Sequence, residues 1–145
     1  MKQYIFIFIS LCAIQLSTAQ SEHASVEKTL QKYMHGSSYN ELEMLVSAFT
    51  ENATLYLTGR DGNFKRYTPK EYAGFFKNKE KGAFNGRDAK VLSVEIINDI
   101  AMAKVEIAGP KRSWVYIDLF LLKKIEKEWK IISKTATRTE DNSKQ

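Results

Sequence analysis

The segments that most constrain this chain are residues 91–97, 100–108, 112–124 and 129–138, each rich in Val, Ile, Leu, Phe or Tyr. Short breaks at Asn98 and Asp99, at 109–111 and at 126–128 separate them. Such segments read as β-strands. Breaks this short join only antiparallel neighbours, because a parallel crossover needs at least about a dozen residues. The spacing predicts a four-strand meander whose long third strand must bend.

Helical signals come earlier. Val26, Leu30, Tyr33 and Met34 stand at helical spacing, and Gly36 offers a stop. Asn40 with Glu43 forms a capping-box pattern ahead of the stripe Leu42, Leu45, Val46 and Phe49. Residues 53–58 alternate Leu55 and Leu57 with Thr54, Tyr56 and Thr58, and Asp61 with Gly62 supplies a turn into 64–67. Thr68, Pro69 and Glu71 then give an N-cap, an N1 proline and an N3 acid, which predict a third helix that buries Tyr72, Phe75 and Phe76. The expected class is α+β, three N-terminal helices packed on a strongly curved antiparallel sheet. A twisted sheet wrapped over helices leaves a cone-shaped cavity, a favoured place for a small-molecule site.

At the start, Lys2, an apolar run from Tyr4 to Leu16 and the small pair Ser17 and Ala19 describe a secretory signal cleaved after Ala19. The alternative, an N-terminal membrane anchor, needs about 20 apolar residues, and this run is shorter. Cleavage removes Lys2 and Cys12, the one cysteine. The mature chain then has no disulfide and no thiolate chemistry, so its stability rests on packing. At 145 residues one domain is expected. The organisation reads as a signal peptide at 1–19, a domain at 20–138 and a polar tail at 139–145. The product is exported, periplasmic or secreted, and has no membrane contact after cleavage. The 22 basic and 17 acidic residues are interspersed, which describes a solvated surface and not a nucleic-acid footprint.

The order of these features, with YMHG at 33–36, FTENATLYL at 49–57, TPKEYAGFF at 68–76 and YIDLFLLKKIEKEWKIISKT at 116–135, resembles the nuclear-transport-factor-two-like superfamily, whose members include the SnoaL-like and ketosteroid isomerase-like proteins. Within it, the chain is most similar to the exported bacterial group called putative lumazine-binding proteins, over about residues 24–138. The resemblance implies a ligand cavity and leaves the ligand open. Ketosteroid isomerase, a more distant member, pairs a tyrosine with a protonated aspartic acid as its oxyanion hole. LQKYM puts Tyr33 at the tyrosine's place and YIDLF puts Asp118 at the acid's place, whereas the general-base aspartate corresponds to Leu57. Leucine cannot take a proton, so the resemblance does not carry the isomerase activity over.

Asp118 is the most informative residue, because 114–122 is otherwise almost entirely apolar or aromatic. A carboxylate there needs a partner or a raised pKa. By alternation Trp114, Tyr116, Asp118, Phe120 and Leu122 share a face. Asp118 is then either a polar anchor for a ligand or a structural acid held by Tyr33 or a lysine. The candidate ligand-binding set is Tyr33, Tyr56, Tyr72, Phe76, Trp114, Tyr116 and Asp118, with ordinary packing as the alternative for the aromatics. His23 and His35 are the only histidines. A multi-histidine metal site is therefore excluded, and no cofactor is expected. Lys134 follows Ile132 on one face of the last strand and reads as a surface lysine, or as a partner for Asp118 or a ligand anion.

The opposite face, Val115, Ile117, Leu119 and Leu121, is as apolar as the inner one. One sheet cannot bury both faces against helices on one side, so a homodimer through the outer face is expected. The functional expectation is an exported small-molecule-binding protein holding an aromatic or apolar ligand in the cone. The alternative is an enzyme of the polyketide-cyclase and ketosteroid-isomerase type, with Asp118 (and Tyr33) as acid or oxyanion donor and His35, Lys134 or a carboxylate from elsewhere in the chain as the base.

Overall fold

The computed structural model describes residues 2–59 and 61–139, with side chains described from residue 20 onward. The leader expected at 1–19 falls outside the described side chains, and residues 140–145 of the polar tail fall outside the described residues. The elements are α1 (Lys2–Ser38), α2 (Leu42–Ser47), β1 (Phe49–Thr58), β2 (Phe64–Tyr67), α3 (Pro69–Ala73), β3 (Asp88–Ile97), β4 (Ile100–Ala108), β5 (Val115–Ile125) and β6 (Glu128–Thr139). Single 3₁₀ turns at Gly74–Phe76 and Pro110–Arg112 follow α3 and β4. Among the described residues no helix is long and apolar enough to cross a membrane.

The chain is α+β, with one curved six-stranded sheet ordered β2-β1-β6-β5-β4-β3. The meander β3 to β6 is antiparallel throughout. The sheet as a whole is not: β1 lies parallel to β6, with Leu55 opposite Lys134 and Tyr56 opposite Thr135. The long stretch between them, through α3 and four strands, is what lets a parallel pair form. Nor are all three helices N-terminal to the sheet, since α3 follows the β1–β2 hairpin.

Local chemistry explains where the helices start and stop. At α3 both halves of the capping box are present: the Glu71 amide donates to Thr68 Oγ1 at 3.2 Å, and the Thr68 amide donates to Glu71 Oε2 at 2.7 Å. The expected box at Asn40 and Glu43 does not form, and α2 has no side-chain cap. Asn40 instead takes the left-handed conformation (φ 59°) that ends the first helix, where an Asn is tolerated. Gly36 is inside that helix and not its stop. A Cβ there would lie 2.5 Å from the Leu45 amide nitrogen, so the glycine serves the close approach of α2 to α1. Phe75 is 56% exposed and not buried with Tyr72 and Phe76, because the 3₁₀ turn rotates it off the α3 face.

Val26, Leu30, Tyr33 and Met34 of α1 join Leu55, Val105, Ile107, Phe120, Leu122 and Ile131 of the sheet in one buried cluster. Each fully buried aliphatic side chain there contributes about 1.5–3 kcal/mol. Glu22 accepts from Lys124 Nζ at 2.5 Å and from Trp129 Nε1 at 2.9 Å, tying α1 to the β5–β6 hairpin.

From Asp118 to Leu122 of β5 the alternation is regular, with Asp118, Phe120 and Leu122 buried and Leu119 and Leu121 exposed, whereas Val115, expected on the outer face, is buried and Ile117 is half-buried. Along β6 the alternation breaks. Leu122 pairs with Ile131 but Leu121 pairs with Ser133, so β6 carries an extra residue at this point. The bulge shifts the inward phase by one. Trp129 and Ile131 point inward before it and Lys134 after it, while Ile132 is exposed. Lys134 and Ile132 therefore do not share a face, and Lys134 is not a surface lysine.

Candidate functional site

The inner face of the sheet, α3 and the segments flanking β3 and β5 enclose a cavity of about 910 Å³. Its deep end is a polar network. Lys134 Nζ lies 3.1 Å from Asp118 Oδ1, and each residue is 2% exposed. Tyr33 Oη donates to Asp118 Oδ2 at 2.6 Å, a length typical of a hydroxyl on a carboxylate. A further 2.9 Å contact joins the Tyr33 and Tyr72 hydroxyls. Burial, then the Asp118 charge and Tyr72, push the Tyr33 hydroxyl well above the ordinary tyrosine range, so it keeps its proton. Lys134 Nζ also lies 5.3–5.8 Å from the ring centroids of Tyr72, Tyr33 and Phe120, within cation–π range.

Nearer the mouth stands Arg87. Its guanidinium carbon is 5.2 Å from the Phe76 ring centroid and 5.9 Å from that of Trp114. Burial works against its charge, but Tyr72, Tyr33 and Asp118 outweigh that effect and hold its pKa above the ordinary arginine value. Its Nε is buried with no hydrogen-bond partner.

Two asparagines place this arginine. Asn85 Nδ2 donates to the Ser37 carbonyl at 2.7 Å and to Asn40 Oδ1 at 2.6 Å, and Asn85 Oδ1 accepts from the Arg87 amide at 3.1 Å. Asn40 Nδ2 in turn donates to the carbonyls of Glu80 and Ala83. The segment between α3 and β3 is thereby fastened to the end of α1. Trp114 is placed by a close backbone approach: a Cβ on Gly109 would sit 2.2 Å from Trp114 Cε2, so only glycine admits the indole there.

Of the residues singled out from sequence, Tyr72, Trp114, Tyr116 and Asp118 line this cavity together. Phe76 is buried beneath Arg87, and Tyr33 is wholly buried behind Tyr72 and Asp118. Tyr56 is elsewhere: it stacks on Phe64 at 5.9 Å and lines a separate depression of about 430 Å³ with Met102, Leu119 and Leu121. Leu57, at the isomerase base position, is part of the cavity wall. His35 is exposed and stacks on Tyr39 at 4.4 Å, and exposed His23 sits 3.7 Å from Glu27. Among the described residues no group of three or more His, Cys, Asp or Glu side chains is placed to hold a metal ion.

Sequence reasoning passed over Arg87 and did not bury Lys134. A loop arginine carries no periodic signal, although Asn85 and Gly86 beside it mark a constrained turn.

In its chemistry, the deep end holds a charge pair and passes a proton contact from hydroxyl to carboxylate, with both Asp118 oxygens occupied. The mouth offers a cation between aromatic rings.

The comparisons with known proteins agree with this architecture. Residues 21–136 match the model of the family described as "Putative lumazine-binding". No curated protein matches the chain significantly. Among solved structures, an NTF2-like protein of unknown function from Shewanella baltica OS155 is 19% identical, with a TM-score of 0.72 over 83% of this chain and 96% of that one. A second NTF2-like protein of unknown function, from Silicibacter pomeroyi DSS-3, is 20% identical, with a TM-score of 0.71 over 83% and 98%. A ketosteroid isomerase-like protein from Erwinia carotovora atroseptica SCRI1043 is 16% identical, with a TM-score of 0.62 over 81% and 96%. These likenesses establish an NTF2-like fold, and by the family match over residues 21–136 the chain belongs to the putative lumazine-binding family.

Proposed function

We propose that this chain is an exported small-molecule-binding protein that holds an aromatic or apolar ligand in the cone-shaped cavity. The observation that carries this reading is the cavity itself, about 910 Å³ and walled by Tyr72, Phe75, Trp114 and Tyr116, a size and lining suited to a small organic molecule. The cyclase or isomerase alternative asks Asp118 to give a proton to a ligand. Its two oxygens are instead engaged by Tyr33 and Lys134, and Leu57 offers no base. That distribution favours binding without turnover.

The test is native mass spectrometry on protein expressed with its leader and recovered from the periplasm of a bacterial host. The expected result is a chain beginning at residue 20 and carrying a stoichiometric small-molecule mass. A chain that keeps residues 1–19 overturns the export half. Protein that carries no adduct and takes up no member of an aromatic-metabolite mixture overturns the binding half.

The same reading includes a homodimer through the outer face. Met102, Leu119 and Leu121 are each about half exposed there, beside Tyr56 and Phe64. Such a contiguous apolar patch is unusual on a monomer. Light scattering is expected to give twice the mass of the mature chain, and a clean monomer removes the dimer from the proposal.

A further inference from the structure

We propose that the cavity takes a planar organic acid, an aromatic or conjugated carboxylate bound as its anion, with the Arg87 guanidinium as its counter-ion. This rests on the binding reading above and narrows its ligand class.

The charges around the cavity do not balance without such a guest. Lys134 is matched by Asp118, and at the rim Lys65 is matched by Asp61 at 2.6 Å, while the cavity is lined by two further cations, Arg87 and Arg138. Among the described residues no carboxylate stands in salt-bridge range of Arg87; the guanidinium hydrogen-bonds the Tyr72 hydroxyl and lies against the Phe76 and Trp114 rings. The guanidinium is half-buried and its charge is favoured by Tyr72, Tyr33 and Asp118, but its buried Nε proton has no acceptor, and a buried donor left unpaired is costly.

Hydrogen-bond direction points the same way. Tyr33 has one hydroxyl proton and gives it to Asp118. Its 2.9 Å contact with Tyr72 therefore requires Tyr72 to donate inward. Asp118 has both oxygens occupied, so the deep end keeps its acceptors for itself. What remains to meet a ligand is mostly donors: the guanidinium N–H groups of Arg87 and Arg138, the Lys134 protons that Asp118 does not take, and the hydroxyls of Thr58, Tyr67 and Tyr116. A guest complementary to that surface brings oxygens and negative charge. The Trp114 and Tyr116 rings, which line the cavity in edge contact at 5.8 Å with Trp114 against the guanidinium, favour a planar frame, and a guanidinium fork matches a carboxylate in two parallel bonds.

The experiment is isothermal titration calorimetry of the full chain with 2-naphthoate and its neutral isostere 2-naphthamide. Wild type is expected to bind the naphthoate at least about tenfold more tightly, the scale of a charge-assisted hydrogen bond. Arg87→Gln is expected to bring the two probes within about threefold of each other, whereas Arg87→Lys, which keeps the charge and loses the fork, keeps only part of the preference. If Arg87→Gln does not fold, as judged by circular dichroism, Arg87→Met and the salt dependence of wild-type naphthoate binding carry the same test. Equal affinities in wild type, or a preference that Arg87→Gln leaves intact, overturn the anion proposal while leaving the binding reading standing. If neither probe binds, the planar-acid proposal fails, and the adduct search by native mass spectrometry decides the binding reading separately.

Discussion

The deep end and the mouth of the cavity are built from the same kinds of side chain and behave differently. At the deep end Asp118, Lys134, Tyr33 and Tyr72 find their partners in one another. At the mouth Arg87 stacks between rings, and its buried Nε has no partner. Buried polar groups in folded proteins are almost always satisfied. Where the protein satisfies them itself, they belong to the fold and their removal unfolds it. Where one is left over, its partner comes from outside, and its removal is felt in binding. The two ends of one cavity thus separate a structural role from a recognition role.

The largest effect should come from breaking the deep pair. Asp118→Leu or Lys134→Met alone leaves one charge buried without its partner and is expected to cost about 3–5 kcal/mol. The double variant should regain most of that loss, because an apolar pair leaves nothing unpaired. Urea denaturation of the three variants measures this. If either single change costs under about 1 kcal/mol, the deep end is not structural and the contrast with the mouth disappears.

Tyr33→Phe sharpens the same contrast at a smaller scale. Removing its hydroxyl deprives Asp118 Oδ2 of its donor and is expected to cost about 1–3 kcal/mol. It also has a pH signature. Burial and Asp118 raise the folded-state pKa of Tyr33 above the ordinary 10.0, so the folded chain holds this proton after the unfolded chain has released it. The contribution is therefore complete below pH 10.0 and is lost as pH rises from there toward the folded value. Melting curves taken up the alkaline limb should fall more steeply for wild type than for Tyr33→Phe. Parallel curves would mean that Tyr33 is not the titrating group.

How much of this was legible depended on how local its cause was. The meander is written in short breaks, and the α3 cap in Thr68, Pro69 and Glu71, because each depends on neighbours a few residues apart. Asp118 stood out because a carboxylate inside an apolar strand must be answered for, and both structural partners considered for it, Tyr33 and a lysine, are there. The parallel β1–β6 pairing was invisible, since nothing in residues 49–58 records which distant strand they will meet. Lys134 was misplaced for a related reason. Strict alternation assigns its face from Ile132, and the bulge that reverses the phase follows from how β6 registers against β5. Arg87 depends on two asparagines, Asn40 and Asn85, that meet only when the segment before β3 folds back on the end of α1.

The smallest expected effect is the one that most directly tests the contrast. Arg87→Met removes a half-buried cation that makes no salt bridge, so the lost attraction to Tyr72, Asp118 and the Phe76 and Trp114 rings is set against relief of desolvation and of an unbonded Nε–H. Cation–π contacts of this kind contribute about 0.5–2 kcal/mol, and an unsatisfied buried donor costs a similar amount, so the stability change should stay within about 1 kcal/mol of zero. The same urea titration used for Asp118 and Lys134 decides it. A loss on the scale of those variants would mean that Arg87 supports the fold, and the mouth would then be as structural as the deep end. A change near zero, in a variant that has lost its preference for naphthoate over naphthamide, places the two roles at opposite ends of the cavity.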